Sequence, residues 1–197
     1  MLNRSSFPNL NFDKILQDAK QFSLPESDSY IQSYPEFLKY FERIKGGDIN
    51  EHDLIIASHF VYGWMPTILR LDLNKKTQVL KYLNAVKSGR LLDEEELNIL
   101  KVSINNSMVG LSKLLHFINP ENYAIWDSKV YRYATSYKSD FGITNVSLYL
   151  EYLERIKAIA ANENYRKIHE LVSKNFDYEI YPTRAIEIVM FKASERK

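Results

Sequence analysis

The sequence predicts an all-α fold, an irregular multi-helix domain with a helix-hairpin-helix-like element, and three observations predict it. Apolar residues recur at spacings of three and four along almost the whole chain, as amphipathic helices require. Only 6 Gly and 6 Pro punctuate the 197 residues, so helix breaks are few and readable. Strand-like alternation is confined to one weak stretch, Phe176 to Tyr181. Ordinary helix lengths then give about eight to ten helices. They form a single all-helical domain over residues 1–197, or two helical lobes with a cleft lined by 105–132.

Each element has a local cause. Asn11 is a candidate N-cap, with Phe12, Ile15, Leu16 and Ala19 on one face and Leu24-Pro25 ending the element. Pro35 is expected at the first position of a second helix carrying Phe37, Leu38, Phe41 and Ile44, closed by Gly46-Gly47. The stretch from Asn50 to about Leu71 is apolar nearly all round and reads as a buried central helix, bent or split at Gly63 and Pro66. Asn74 or Lys75 opens a helix with Val79, Leu80, Leu83 and Val86 inward and Gly89 past its end. Asp93 caps the next, where Glu94, Glu95 and Glu96 suit the positive end, and Leu97, Leu100, Val102 and Ile104 continue it. Asn145 to Ala161 is amphipathic through Leu148, Tyr152, Ile156 and Ile159, after a loop at residues 139–142. A helix from Tyr165 and a last one opened by Pro182, ending near Phe191, complete the chain, with Ile186, Val189 and Met190 as an inward stripe.

Composition narrows the function. Hydrophobic residues make up 45% of the chain, with 14 Tyr and 10 Phe, so rings with wet edges build much of the interior. The formal net charge is +1, so a nucleic-acid partner needs a local basic face. There is no Cys, which removes disulfides, thiol nucleophiles and thiolate metal sites. No apolar run approaches the ~18 residues of a membrane span, and Met1–Ser6 lacks a signal-like core, so a soluble, cytoplasmic protein is expected.

The stretch Asn105 to Arg132, NNSMVGLSKLLHFINPENYAIWDSKVYR, holds the best chemical candidates. It reads as a turn, a short helix, an Asn-Pro stop, a loop and a new helix. Lys113 falls in the first turn of the first helix, and Asp127 caps the second, fourteen residues on. An amine there lies near other positive dipoles and partly out of water, which lowers its pKa and makes it a better nucleophile. A carboxylate at Asp127 can assist proton transfer or stabilise a cationic sugar. By spacing alone, a solvated lysine and an ordinary N-cap fit the same positions.

Val109-Gly110-Leu111-Ser112-Lys113, followed by Ile125-Trp126-Asp127-Ser128-Lys129-Val130-Tyr131-Arg132, resembles the helix–hairpin–helix DNA glycosylase superfamily, in particular its 8-oxoguanine DNA glycosylase branch. The resemblance covers roughly residues 105–132, about a seventh of the chain. It implies Lys113 as a Schiff-base nucleophile at the sugar C1′ and Asp127 as its activating carboxylate. It also implies backbone N–H groups around Met108, Val109 and Gly110 that hold a DNA phosphate, with Ser112 in the same DNA-contacting set. The family's Leu-Pro-Gly is replaced here by Asn106-Ser107-Met108, and the Lys–Asp spacing is shorter.

Other residues extend the picture. His116, a turn beyond Lys113, suits a phosphate or substrate contact as well as a core position. Lys129, Arg132 and Lys138 give the second helix a basic face fit for a DNA backbone, or for water. Tyr62 and Trp64, beside Gly63 and Pro66, are candidates for stacking on an everted base, and equally for core. The four His are scattered, so no metal is expected, and no Gly-rich phosphate loop, GxSxG or dinucleotide fingerprint implies a cofactor. The resulting expectation is a DNA base-excision N-glycosylase with AP lyase chemistry, acting on a damaged or modified purine in duplex DNA with an everted base. Its alternatives are a non-catalytic DNA-binding module on the same fold and a helical protein–protein interaction domain. Oligomeric state is left open.

Overall fold

The computed structural model describes residues 6–25, 28–65 and 67–196. The fold is all-α: ten α-helices, and among the described residues no strand beyond an isolated antiparallel bridge, Leu71 to Ile104. The helices are α1 (Phe12–Ala19), α2 (Ser29–Arg43), α3 (Glu51–Trp64), α4 (Lys76–Lys87), α5 (Glu94–Ser103), α6 (Met108–Ile118), α7 (Ser128–Thr135), α8 (Val146–Ala160), α9 (Tyr165–Ser173) and α10 (Pro182–Glu195). Among the described residues no helix is long and apolar enough to cross a membrane.

The chain divides into two compact units, one of Met1–Pro25 with Ala124–Lys197 and one of Glu26–Tyr123. The stretch 105–132 is therefore shared out, with Lys113 in the second unit and Asp127 in the first. In the first unit α10 is the hub, packed against α1, α7, α8 and α9. Its Ile186, Val189 and Met190 are fully buried, as the inward stripe requires. In the second unit α6 is the hub, packed against α2, α3, α4 and α5.

Capping explains most boundaries. Asn11, Asn50, Asp93, Asp127 and Asn145 each accept backbone N–H groups at the start of the helix they precede. Asp93 and Asn50 form full capping boxes with Glu96 and Asp53. Gly89 takes φ +96° past α4, and Pro182 opens α10.

Several expectations are corrected. Helix α2 begins at Ser29 under an Asp28 cap, so Pro35 lies inside it and not at its first position. The break Pro35 makes in the helix bonding is outweighed by packing of the buried Tyr34 and Phe41 on either side. Helix α3 is not buried all round: Leu54, Ala57, Val61 and Tyr62 are inside while Phe60 is 46% exposed. An apolar residue need not be a core residue. Val102 is exposed although Leu97, Leu100 and Ile104 are buried. Residues 176–181 make no strand, and α10 runs past Phe191 to Glu195. The expected bend at Pro66 lies outside the described residues; α3 itself ends at Trp64.

Removing residues 183–197 strips the first unit of its hub. Each large buried side chain lost costs about 2–5 kcal/mol against a total stability of only about 5–15 kcal/mol. The truncated chain is expected to lose cooperative melting, followed by near-UV circular dichroism. A truncation that melts like the parent would remove α10 from the core.

Candidate functional site

The second unit carries Lys113, and the turn before it is heavily built. Asn105 and Asn106 both take left-handed backbone, φ 62° and 49°, a conformation Asn tolerates better than most residues. The turn is tied to the 70–72 segment. Asn105 N–H donates to the Arg70 carbonyl at 2.9 Å, its side-chain oxygen accepts from Arg70 N–H at 3.1 Å, and Asp72 N–H donates to the Ser103 carbonyl at 2.8 Å. Ser107 then caps α6, its Oγ accepting from Gly110 N–H at 3.1 Å.

Of the N–H groups expected to hold a phosphate, that of Gly110 is engaged from within, and so are two in the turn before it. The N–H groups of Asn105, Ser107 and Gly110 already donate to Arg70, Ile104 and Ser107 respectively. Gly110 is small for a different reason from the expected one. A Cβ built on it would stand 2.2 Å from the Tyr62 hydroxyl oxygen and 2.5 Å from the ring, so the missing side chain makes room for Tyr62. Tyr62 is buried, and its hydroxyl donates to the Ile104 carbonyl at 3.3 Å. Burial raises its phenol above the ordinary range, partly opposed by Ser107 and Asn105. Tyr62 buttresses the turn and offers no face to a base.

The remaining α6 residues sort by burial. Met108, Ser112 and His116 are all fully buried. Ser112 Oγ donates to the Val109 carbonyl at 3.0 Å. His116 Nδ1 donates to the Tyr123 carbonyl at 2.7 Å, so in the neutral ring Nε2 accepts from the Tyr34 hydroxyl, also at 2.7 Å. These side chains lock α2, α6 and the 123 segment together and present no surface to DNA. Val109 and Lys113 are the α6 residues left unburied, one turn apart on one line. Lys113 is the sixth residue of α6, in its second turn and not its first, where the helix dipole is already weak. Its amine instead lies over the Trp64 ring, 5.6 Å from the centroid, a cation–π arrangement. Trp64 is half-buried, and its Nε1 donates to Ser33 Oγ at 2.9 Å.

In the first unit, Asp127 is an N-cap with spare capacity. Its Oδ1 accepts from Lys129 N–H at 3.0 Å and Val130 N–H at 2.9 Å, while Oδ2 takes no partner among the described residues. The three residues before it are pinned. Tyr149 and Tyr152 on α8 donate to the Ala124 and Ile125 carbonyls at 3.0 and 2.9 Å, and Trp126 Nε1 donates to the Ile143 carbonyl at 3.0 Å. Sequence reasoning placed Tyr152 inward but had no means of seeing these carbonyl anchors. Two members of the expected basic face are charge-matched, Lys129 with Glu195 at 2.5 Å and Arg132 with Asp140 at 3.1 Å, while Lys138 lies beyond the end of α7. Glu195 lies far along the chain, so no local spacing announces that pair.

No family model, curated protein or solved structure matches the chain.

The two glycines beside these residues give opposite expectations. Gly110→Ala forces a methyl into Tyr62 and should destabilise by about 1–3 kcal/mol or more, a fall of roughly 2–4 °C in Tm for each kcal/mol. At Gly63 an added Cβ meets nothing within 4 Å. Gly63→Ala should therefore hold or raise Tm, by up to about 1 kcal/mol of helix propensity. Equal effects at the two positions would contradict the Tyr62 buttress.

Proposed function

We propose that this chain removes a damaged or modified purine from DNA, as a base-excision N-glycosylase, with Lys113 as the attacking amine. The observation that carries the reading is the openness of α6 at Val109 and Lys113 alone, in a helix whose nine other residues are buried. That line places a cation at the partly exposed side of a unit's hub, against an aromatic ring. It sits in the motif whose resemblance assigns it chemistry.

In this reaction the Lys113 amine bonds to C1′ as the N-glycosidic bond breaks, and the base leaves with the bonding electrons and takes up a proton. Loss of an amine proton and opening of the sugar ring, with the C1′–O4′ bond breaking and O4′ taking up a proton, leaves a covalent imine, and β-elimination from it expels the 3′ phosphate and nicks the strand. For Asp127, in the other unit, the resemblance implies stabilisation of a cationic sugar or proton relay, and its Oδ2 is the oxygen not used in capping. Its capping bonds hold the carboxylate fixed without occupying that oxygen. Val109 and the exposed edge of the turn are the parts of α6 and its approach open to a DNA backbone.

Borohydride trapping tests the proposal on single- and double-stranded oligonucleotides containing 8-oxoguanine or an abasic site. Wild type is expected to form a covalent adduct that Lys113→Ala does not. Asp127→Asn should slow single-turnover base release by about 10²–10⁴-fold. Its Tm should change little, because Asn caps as well as Asp and only the modest charge–dipole contribution is lost. Absence of any Lys113-dependent adduct defeats the proposal. Salt-sensitive DNA binding without base release would leave a DNA-binding module, and indifference to DNA at low salt would favour a protein-interaction domain.

A further inference from the structure

The geometry points to a row of open aromatic rings on the second unit that binds single-stranded DNA by stacking its bases. The inference rests on the reading above in taking DNA as the partner, and it replaces the expected duplex by a single strand.

Five rings from α2 and α3 form the row. Tyr30 stands edge-on to Trp64 at 5.6 Å, Trp64 meets Phe37 at 5.6 Å, Phe37 meets Phe60 at 6.1 Å, and Phe60 meets Tyr40 at 4.6 Å. None of the five is buried, and Tyr30 and Phe60 are 48% and 46% exposed. At their centre lies an open groove of about 530 Å³, lined by Phe37, Ile56, His59, Phe60, Gly63 and Trp64. Gly63 leaves part of that space unfilled, since a Cβ there meets nothing. Contiguous exposed apolar surface of this kind marks an interaction site in a soluble protein.

The chemistry of the row selects its occupant. Every base has a π-face, so stacking on aromatic side chains is tolerant of sequence, and a succession of rings suits a succession of unpaired bases. In a duplex those faces are already stacked on one another and cannot meet an open row. The charge of the protein agrees. With a formal net charge of +1, and with Lys129 and Arg132 matched by carboxylates, there is little field to draw in a duplex, whose charge density exceeds that of a single strand. The Lys113 amine lies over the Trp64 ring at the row, matched in sign to a phosphate. His59 adds a ring at the rim whose Nδ1 donates to the Ile55 carbonyl at 2.8 Å, so in the neutral ring Nε2 is the acceptor.

The chain carries its own probe. Of its 2 Trp, Trp126 is fully buried, so quenching of intrinsic fluorescence by added DNA reports on Trp64. The full chain is titrated at low salt with an oligodeoxynucleotide of about 12 nucleotides, within the range such surfaces occupy. The same sequence as duplex and an abasic strand of equal length serve as controls. The single strand is expected to quench Trp64 and to bind about tenfold or more tighter than either control. Gly63→Leu, which fills the groove, and Phe60→Ala, which removes a platform, should each weaken that binding about tenfold or more. Both variants should keep the parent melting temperature. Equal affinity for duplex, equal affinity for the abasic strand, no binding, or indifference to both substitutions overturns the inference. Failure of the glycosylase reading is a different result: single strands bind at the row, but no imine forms at Lys113. An imine that forms on duplex and is unchanged by Gly63→Leu sinks the row and leaves the glycosylase reading standing.

Discussion

Because Gly110 has no side chain, the Tyr62 phenol can lie against the backbone of α6 and still place its hydroxyl on the Ile104 carbonyl. That one close approach holds α3 to the turn before α6. It fixes the rotation of α3, since Trp64, two residues on, lies about 200° around the helix and so faces away from the turn and toward α2. There its indole N–H finds Ser33 and its ring meets Phe37. The placement of the aromatic row and of the Lys113 amine therefore follows from a contact that neither of them makes. His116 completes the arrangement from the other face of α6, bonded to Tyr34 on α2 and to the Tyr123 carbonyl. With both ring nitrogens committed in a fully buried site, its tautomer is determined by its neighbours. Burial also raises the Tyr123 phenol to about 12, so it remains a donor at neutral pH, bonded to the Arg90 carbonyl.

The two units use the same ring-rich composition differently. In the first, Trp126, Tyr131, Tyr149 and Tyr152 are fully buried. Their polar tips reach carbonyls of the chain: Trp126 to Ile143, Tyr131 to Phe141, Tyr149 to Ala124 and Tyr152 to Ile125. Rings used in this way supply apolar area and satisfy backbone acceptors together. In the second unit, Tyr34, Phe41 and Phe117 do comparable work inside, yet Tyr30, Phe37, Tyr40, Phe60 and Trp64 stay partly in water. Closing that face would have stabilised the unit by the usual hydrophobic increment. Leaving a contiguous face of rings open gives up that stabilisation, which is the physical reason to look there for a ligand.

What could be read from the sequence is what local chemistry decides. Asn11, Asn50, Asp93, Asp127 and Asn145 cap helices because a short polar side chain satisfies N–H groups two or three residues ahead, and Gly89 and Pro182 mark a helix end and a helix start by backbone preference alone. Inward stripes such as Ile186, Val189 and Met190 are equally local. Pro35 was misplaced because its helix is nucleated by Asp28, seven residues earlier, and held by packing that no propensity encodes. The candidate site divides along the same line. Asp127 as a cap is a short-range fact, whereas the Lys129–Glu195 pair joins residues 66 apart. Gly110 illustrates the hardest case. Its smallness was legible, but whether the space serves a ligand or a neighbouring ring depends on Tyr62, which is 48 residues away in the chain.

The same distance problem governs the electrostatics. Counting cations along α7 suggests a basic face, but an ion pair removes most of the field beyond a Debye length of about 8 Å. Asp140 and Glu195 place such partners beside Arg132 and Lys129. With nearly balanced charge overall, little long-range steering is left, and recognition must be decided at contact distance. At that range the proposed discrimination rests on shape and π-face, which an amine over an indole and a row of rings can read, and which a paired double helix withholds and an unpaired base presents. In the proposed single-strand reading the aromatic surface supplies the selectivity that the charge distribution does not, and Lys113, over Trp64, lies at the edge of that surface on α6.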